Sequence, residues 1–502
     1  MKDLANRILA MAVALMALSL HAETSDEALK LTVGRKPGQQ IVGIGAELDP
    51  HFLSQNVTRT EGCKAADWER IIAARIRAMH LQRLRVMVQP QWYEPKNDDD
   101  NARHIRPEGF NWNSPEMKSL YAELDLAQKE HIDVTLTLWG APAGHFLAGS
   151  NYGDWMVAPV DYEEWAENFS ALIQHLTEVC GYTCIKEITP VNEPDWAFIY
   201  FGQIAKPESY VRMCQVLDRR FRDDGIRGKV RFSLSDNSDG GTGTHSFLEY
   251  CSQNLSQQAD LFNSHTYLFG YETPNSEIER WEAENCRLSS LAGLPHFVGE
   301  FGSNQCVGAS RQLDINRFER GVLLARIVLC CLNAGASGLS YWSLIDQYYG
   351  RTESYGQMQQ LGLWKSVAKC YEADSTYAKL RQDYEPRPQY YAYSLLTRFI
   401  RSGQTVFPIA TGKEFLAATA FLNANGQWTY IFANAQQASH SLQLVNTNGG
   451  RGTYCIYYYV ENALPHNGAQ ITPSGKVSAG KNGLKIRIPG ESVIVLSPAT
   501  RD

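Results

Sequence analysis

Eight short apolar runs, separated by stretches with helical periodicity, constrain this chain more than any other feature. The runs are "QQIVGIGA", "LQRLRVMV", "IDVTLTLW", "CIKEITPV", "KVRFSLS", "ADLFNSH", "PHFVGE" and "SGLSYWSL", spread over about residues 41–345. Each has the length of a buried strand, and six of the eight carry β-branched residues. Between them, "ADWERIIAARIRAMH" puts Trp68, Ile71, Ile72, Ile76 and Met79 on one helical face. In "DYEEWAENFSALIQHL", Asp161 and Glu164 have capping-box spacing ahead of Trp165, Phe169, Leu172 and Leu176, and Pro207 suits the first turn of the next helix. Strands alternating with helices demand a parallel sheet, and eight strands is the number that closes into a (β/α)8 TIM barrel, an α/β fold. The competitor is an open doubly wound sheet. It is disfavoured because no G-x-G-x-x-G opens a helix after a strand and no G-x-S-x-G elbow is present.

After about residue 385 the texture changes to alternating strands punctuated by Asn, Gly and Pro: "EFLAATAFLNANGQWTYIFANA", "HSLQLVN", "GTYCIYYYV" and "GLKIRIPGESVIVLSP". This pattern predicts an antiparallel β-sandwich at the C-terminus. "LKLTVGRKPGQQ", near the start, alternates in the same way and is expected to join that sheet. The first 22 residues carry Lys2 and Arg7, the apolar run "ILAMAVALMALSL" and a small-residue site ending at Ala22, the form of a cleaved secretory signal peptide. The expected organisation is therefore a signal peptide at 1–22, a strand segment at 23–40, a catalytic barrel at 41–384 and a sandwich at 385–502, in a secreted or periplasmic protein.

A formal charge of -7 without a long basic run argues against nucleic acid or an anionic membrane as partner, and no stable membrane insertion is expected. Eleven Cys in an exported chain predict a disulfide, with Cys180 and Cys184 in "CGYTC" a candidate pair close in sequence and at least one thiol left over. No Cys or His spacing matches a zinc site, so no metal is expected.

Two of the strand-like runs end in glutamate. Glu193 lies in "ITPVNEPDW" after the fourth run, and Glu300 in "HFVGEFG" closes the seventh, 107 residues later. In a barrel, chemistry collects at the C-terminal ends of the strands, and three βα units of separation place the two carboxyls across one mouth. Glycosidic bond cleavage requires such a pair, one to protonate the leaving oxygen and one to meet the charge at the anomeric carbon. Pro194 keeps Glu193 out of helical geometry, which predicts that its side chain is held where the strand leaves it. Asn192 is placed to donate to a sugar hydroxyl. A carboxyl pair supplies both proton and nucleophile, so no cofactor is expected.

"VNEP" after strand four, "NSHTY" at strand six, "GEFG" at strand seven and "LSYWSL" at strand eight together resemble clan A of the glycoside hydrolases, retaining enzymes on a (β/α)8 barrel. The resemblance implies that Glu193 is the acid/base and Glu300 the nucleophile. It also implies site roles for Arg85 in "RLRVMV", for His265 and Tyr267, and for Trp342 as the floor under the reacting sugar. Within the clan, "GQQIVGIGAELD" and "RPQYYAYSLLTRFIRSG" are similar to family 30, whereas "WGAPA" departs from that family's Trp-Ser-Pro-Pro stretch and "GEFG" is closer to family 5.

Trp92, Trp139 and Trp196, with Trp155 and Tyr349, fall at or just beyond strand ends, where aromatic faces suit a saccharide groove. The acidic run "KNDDDN", residues 96–101, reads as a solvated loop rather than a cation holder. The expected function is hydrolysis of a β-linked glucan or related glycan, with an oligo- or polysaccharide as partner. Two rivals are a non-catalytic carbohydrate-binding protein on a barrel and a transglycosylase, which would use the same residues.

Overall fold

The computed structural model describes residues 28–49, 63–99, 101–142, 144–148, 157–196, 207–238, 244–305, 312, 314–347, 359–371 and 383–499. The expected signal peptide, Trp155 and Tyr349 lie outside the described residues. Eight parallel strands close a barrel in chain order: β2 (Gly43–Glu47), β3 (Arg83–Val88), β4 (Asp133–Leu138), β5 (Ile185–Thr189), β6 (Arg231–Ser238), β7 (Leu261–Thr266), β8 (His296–Phe301) and β9 (Gly338–Tyr341), with β9 pairing back onto β2. All eight runs read from the sequence are these strands.

Each strand is followed by a helix: α1 (residues 65–79, with a π-helical middle), α2 (Pro115–Glu130), α3 (Tyr162–Gln174), α4 (Pro207–Asp223), α5 (Ser246–Asn254), α6 (Asn275–Leu291), α7 (Glu319–Ala334) and α8 (Pro388–Phe399). The apolar faces foreseen for α1 and α3 are buried, Ile72, Ile76, Met79, Trp165, Phe169, Leu172 and Leu176 completely so. Pro207 opens α4. At the start of α3 the Asp161 carboxylate accepts from the Glu163 and Glu164 N–H groups, so the cap forms, but Glu164 does not return the bond.

Strand residues that face the barrel axis at its N-terminal end are not all apolar. Arg83 and Arg231 both donate to Glu187, and Thr135 Oγ1 donates to the same carboxylate at 3.0 Å, so the acid of this ionic layer is fully served while Arg83 Nε and Nη1 stay buried without an acceptor. Glycine is required where the layer meets β2: a Cβ on Gly45 would stand 2.8 Å from the Arg83 backbone oxygen.

The remaining strands make two sheets. One has the order β10 (Thr405–Pro408), β11 (Leu416–Leu422), β12 (Trp428–Asn434), β17 (Ser492–Pro498), β14 (Gly452–Tyr459), β15 (Gly475–Ala479), antiparallel throughout. The other sets β1 (Leu29–Val33) parallel to β13 (His440–Asn446), which pairs with β16 (Leu484–Ile488). Leu31, Val33, Phe432, Leu442, Leu444, Ile488 and Ile494 fill the space between them, completing a β-sandwich. Tyr459 Oη donates to the Phe318 carbonyl and Asn333 Nδ2 to that of Ala418, joining sandwich to barrel around α7. Among the described residues no helix is long and apolar enough to cross a membrane.

The disulfide expected at Cys180 and Cys184 is not formed. Cys184 is buried with its thiol directed at the Leu124 carbonyl, and the exposed Cys180 thiol lies 3.3 Å from His175 Nε2. The two cysteines flank a turn, one at the end of the π-helical segment His175–Val179 and one at the start of β5, and they face different neighbours.

Candidate active site

At the C-terminal end of the barrel, ionisable side chains from five strand ends meet around Arg85. Its guanidinium donates to Glu300 Oε1 at 2.5 Å, Asn192 Oδ1 at 2.7 Å, Asp236 Oδ2 at 3.0 Å and Glu47 Oε2 at 3.4 Å. Only an arginine offers enough donors in one plane to reach four groups at once. The carboxylates around it hold its proton affinity above the usual value against the opposing effect of burial.

His265, from β7, completes the network. Its Nε2 lies 3.0 Å from Asp236 Oδ1, and its Nδ1 lies 3.1 Å from Glu193 Oε1 and 3.6 Å from Glu300 Oε2. Burial lowers the proton affinity of this ring, but Glu300 and Asp236 outweigh it and leave the imidazole well above its ordinary value. Both ring nitrogens face carboxylates, a setting that favours the protonated ring. Asp236 is the hub that contacts both Arg85 and His265. Burial works against its charge, and Arg85 and His265 overcome that and lower its pKa.

Glu193 and Glu300 come together as foreseen. One oxygen from each, and a ring nitrogen of His265, all lie within 4.8 Å of one another. Their surroundings differ. The Glu300 side chain is 7% exposed and accepts from Tyr267 Oη at 2.9 Å in addition to Arg85, whereas the Glu193 side chain is 22% exposed and faces solvent. Burial raises the Glu300 pKa, His265 and Arg85 pull it down, and Glu193 and Asp236 push it up.

The backbone at Glu193 avoids the right-handed helical region, as the following Pro194 requires, but it is not extended. Glu193 has φ of 44°, in the left-handed region, four residues beyond the end of β5. Its N–H donates to the Asp236 carbonyl at 3.1 Å, and its carbonyl accepts from Trp196 N–H at 2.9 Å. Ser235 and Asp236 also have positive φ, 79° and 47°, at a register shift between β6 and β7. Strained residues on two adjacent strand ends thus brace one another beside the carboxylate pair.

The aromatic residues divide. Trp342, buried at the end of β9, packs with Met87 and Leu361, and Trp139 and Tyr267 join the same cluster. The Trp139 and Trp342 rings are 5.7 Å apart at 43°, and Trp342 Nε1 donates to Gln359 Oε1 at 3.3 Å. These three aromatics form one wall beside Glu300. Trp196 is partly exposed in the short helical turn Pro194–Trp196 directly after Glu193. Trp92 is buried in the main barrel core instead of this cluster, since the turn Pro90–Trp92 folds it inward.

Asp236 and Glu47 were not singled out from the sequence, although the signal that found Glu193 and Glu300 also fits them. Each is an acid at the end of an apolar run, in "FSLSD" and "GIGAE". Glu47 is fully buried with its pKa raised, by burial first and with Arg85 opposing.

No family model and no curated protein matches the chain. Solved structures share the fold over nearly all of it. A glycoside hydrolase family 30 subfamily 8 xylanase from Clostridium acetobutylicum is 13% identical with a TM-score of 0.63, covering 93% of this chain and 99% of its own. The catalytic domain of a family 30 xylanase from Talaromyces cellulolyticus is 14% identical with a TM-score of 0.65, covering 94% and 100%. An endo-β-1,6-glucanase is 15% identical with a TM-score of 0.62, covering 94% of each chain. Barrel and sandwich therefore occur together elsewhere in the arrangement found here.

Proposed function

We propose that the chain is an exported retaining β-glycoside hydrolase of clan A, closest to family 30, acting on a β-linked glucan or related glycan by double displacement. The observation that carries the reading is the meeting of Glu193 and Glu300 oxygens within 4.8 Å, with Arg85 and Tyr267 both on Glu300. Retaining enzymes place their carboxyls about 5–5.5 Å apart, and inverting ones leave about 6.5–9.5 Å for a water.

Glu300 attacks the anomeric carbon as a carboxylate while Glu193 delivers a proton to the departing glycosidic oxygen. The first product leaves, and the sugar remains as an ester of Glu300. Glu193, now ionised, takes a proton from water. The hydroxide so formed attacks the same carbon from the opposite face, and Glu300 departs with its electron pair. The greater exposure of Glu193 suits the residue that must meet water, and the enclosure of Glu300 by Arg85 and Tyr267 suits a nucleophile held in one orientation. Asp236 positions Arg85 and His265. Asn192, fixed through its Oδ1 by Arg85, orients the sugar, and Trp139, Trp342 and Trp196 supply apolar faces for its rings.

The test is a panel of β-linked polysaccharides and aryl glycosides, with the anomeric configuration of the first-formed product read by proton NMR. Xylan and β-1,6-glucan belong in it because solved proteins sharing the fold are named xylanases and a β-1,6-glucanase. A β-configured first product is expected, and an α-configured one would exclude double displacement.

A further inference from the structure

A second group of carboxyls gathers where the loop after β3 crosses helix α3. Glu94 follows the turn Pro90–Trp92, Asp98 lies four residues on, and Glu167 projects from the buried side of α3. One carboxylate oxygen from each lies within 4.8 Å of the other two. Glu94 and Glu167 are fully buried and Asp98 is half-buried.

The three are unequally served by donors. Asn168 Nδ2 donates to Glu94 Oε2 at 2.8 Å and the Asp98 N–H to Glu94 Oε1 at 3.3 Å, while Asp98 Oδ2 accepts from the Arg106 N–H at 2.6 Å. Glu167 has nothing: both of its carboxylate oxygens are buried without a hydrogen-bond donor. The arginine whose charge reaches it, Arg220, is spent on Asp224 Oδ2 at 2.6 Å and on the Ala102 carbonyl. Glu164, one turn before Glu167, adds to the negative charge, since its carboxyl interacts with Asp98 and Asp99 and its Oε2 is also buried without a donor. A buried carboxylate with no donor and no counter-ion is among the costliest groups a fold can carry. In this setting burial pushes the Glu167 carboxyl up to about 9 and the Glu94 carboxyl up to about 8.

We propose that Glu94, Asp98 and Glu167 form a calcium site that ties the loop following β3 to helix α3. All the donors are hard carboxylate oxygens, and Ca2+ takes six to eight oxygens at about 2.3–2.6 Å, so two ligands on opposite sides of one ion stand about 4.8 Å apart. Mg2+ demands a tighter octahedron and keeps several waters, which two fully buried glutamates disfavour. The run at residues 96–101, read from the sequence as a solvated loop, contributes one ligand, Asp98; the other two come from outside it. The ion takes no part in bond breaking. It fixes the loop that leaves β3, the strand carrying Arg85, and so stabilises one side of the barrel rim.

The test uses the full chain stripped with chelator and dialysed. Calorimetric titration with CaCl2 is expected to show one saturable site, and thermal unfolding in excess CaCl2 to rise by about 3 °C or more, with a smaller rise in MgCl2. Glu167→Gln removes a carboxyl that can ionise onto the ion, without changing shape. It is expected to be at least as stable as wild type without calcium, to lose the calcium-induced rise, and to bind calcium at least about tenfold more weakly. Asp98→Asn, half-buried and safe for the core, should weaken binding in the same direction. Absence of saturable binding to the stripped wild type would overturn the site and leave the cluster as a set of protonated carboxyls. A calcium-induced rise that survives in both variants would place the ion elsewhere and overturn it equally.

Discussion

Replacing Arg85 with Met removes a single charge from the centre of the carboxylate cluster, and its effect on Glu300 can be worked out. Arg85 stands 2.5 Å from Glu300 Oε1. Unit charges about 4 Å apart interact by about 4 kcal/mol at an effective dielectric constant near 20, equivalent to about three pKa units. Two things reduce that figure. His265 remains, with Nδ1 3.6 Å from Glu300 Oε2, and water entering the gap solvates the carboxylate. A net rise of about one to two units in the Glu300 pKa is expected. The sign follows from the role. A nucleophilic carboxylate works only when ionised, so activity falls as pH drops through its pKa, and a raised pKa moves that acid limb to higher pH. In the wild type the limb already belongs above the ordinary glutamate value, because burial raises Glu300. The assay is kcat/KM against pH on an aryl glycoside, for wild type and Arg85→Met. The same variant leaves Glu300, Asp236 and Glu47 without their shared cation, so unfolding in urea should show a loss of about 3–5 kcal/mol. An acid limb that stays in place or moves down, in a variant that retains turnover, would refute the assignment of Glu300.

Glu300→Gln is expected to lower turnover by at least about a thousandfold while the chain stays folded, checked by circular dichroism beside the activity assay. Glu193→Ala should impair substrates in proportion to their need for a proton: aryl glycosides with a strongly acidic leaving phenol should retain far more activity than alkyl glycosides. Tyr267→Phe deletes the 2.9 Å bond to Glu300 Oε2. A hydrogen bond to a charged group is worth about 1.5–3 kcal/mol, so kcat/KM should fall by about 10- to 100-fold and urea unfolding should show a loss of no more than about 3 kcal/mol. Trp165→Ala, at a fully buried position on α3, should cost about 3–5 kcal/mol in urea unfolding and leave the acid limb of the pH profile where it was.

The barrel was legible because its strands are buried on both faces and so are written as apolar-rich runs, polar only where side chains face the barrel axis or the site. The sandwich strands were legible by alternation, and those that escaped notice, β10 "TVFP" and β15 "GKVSA", are short or mostly exposed and carry little of it. Glu193 and Glu300 stood out because a carboxylate closing an apolar run needs a reason. Asp236 and Glu47 obey the same rule but sit in less conspicuous company, without an adjoining Pro or a paired Gly-Glu-Phe-Gly. Their importance comes from contacts with Arg85 across the barrel, which no local pattern encodes. The left-handed conformation of Glu193 was hidden for a related reason. Pro194 disfavours a right-handed helix there but does not choose between extended and left-handed backbone, and the choice is made by the Asp236 carbonyl on the neighbouring strand. Spacing alone suggested that Cys180 and Cys184 could pair. Packing of Cys184 against α2 through the Leu124 carbonyl sends the two thiols to different neighbours. Trp92 shows the same limit, since position at a strand end does not reveal which way a following turn folds its side chain.

The most direct test is to trap the ester. A 2-deoxy-2-fluoro β-glycoside with a good leaving group slows both displacements, and its leaving group lets the first outrun the second, so the glycosyl–enzyme adduct accumulates. Peptide mapping by mass spectrometry should find one sugar per chain on the peptide containing Glu300, and release of the sugar should restore activity. A label on any other carboxylate, with Glu300 unmodified in the inactivated protein, would contradict the shared-carbon geometry of Glu193 and Glu300.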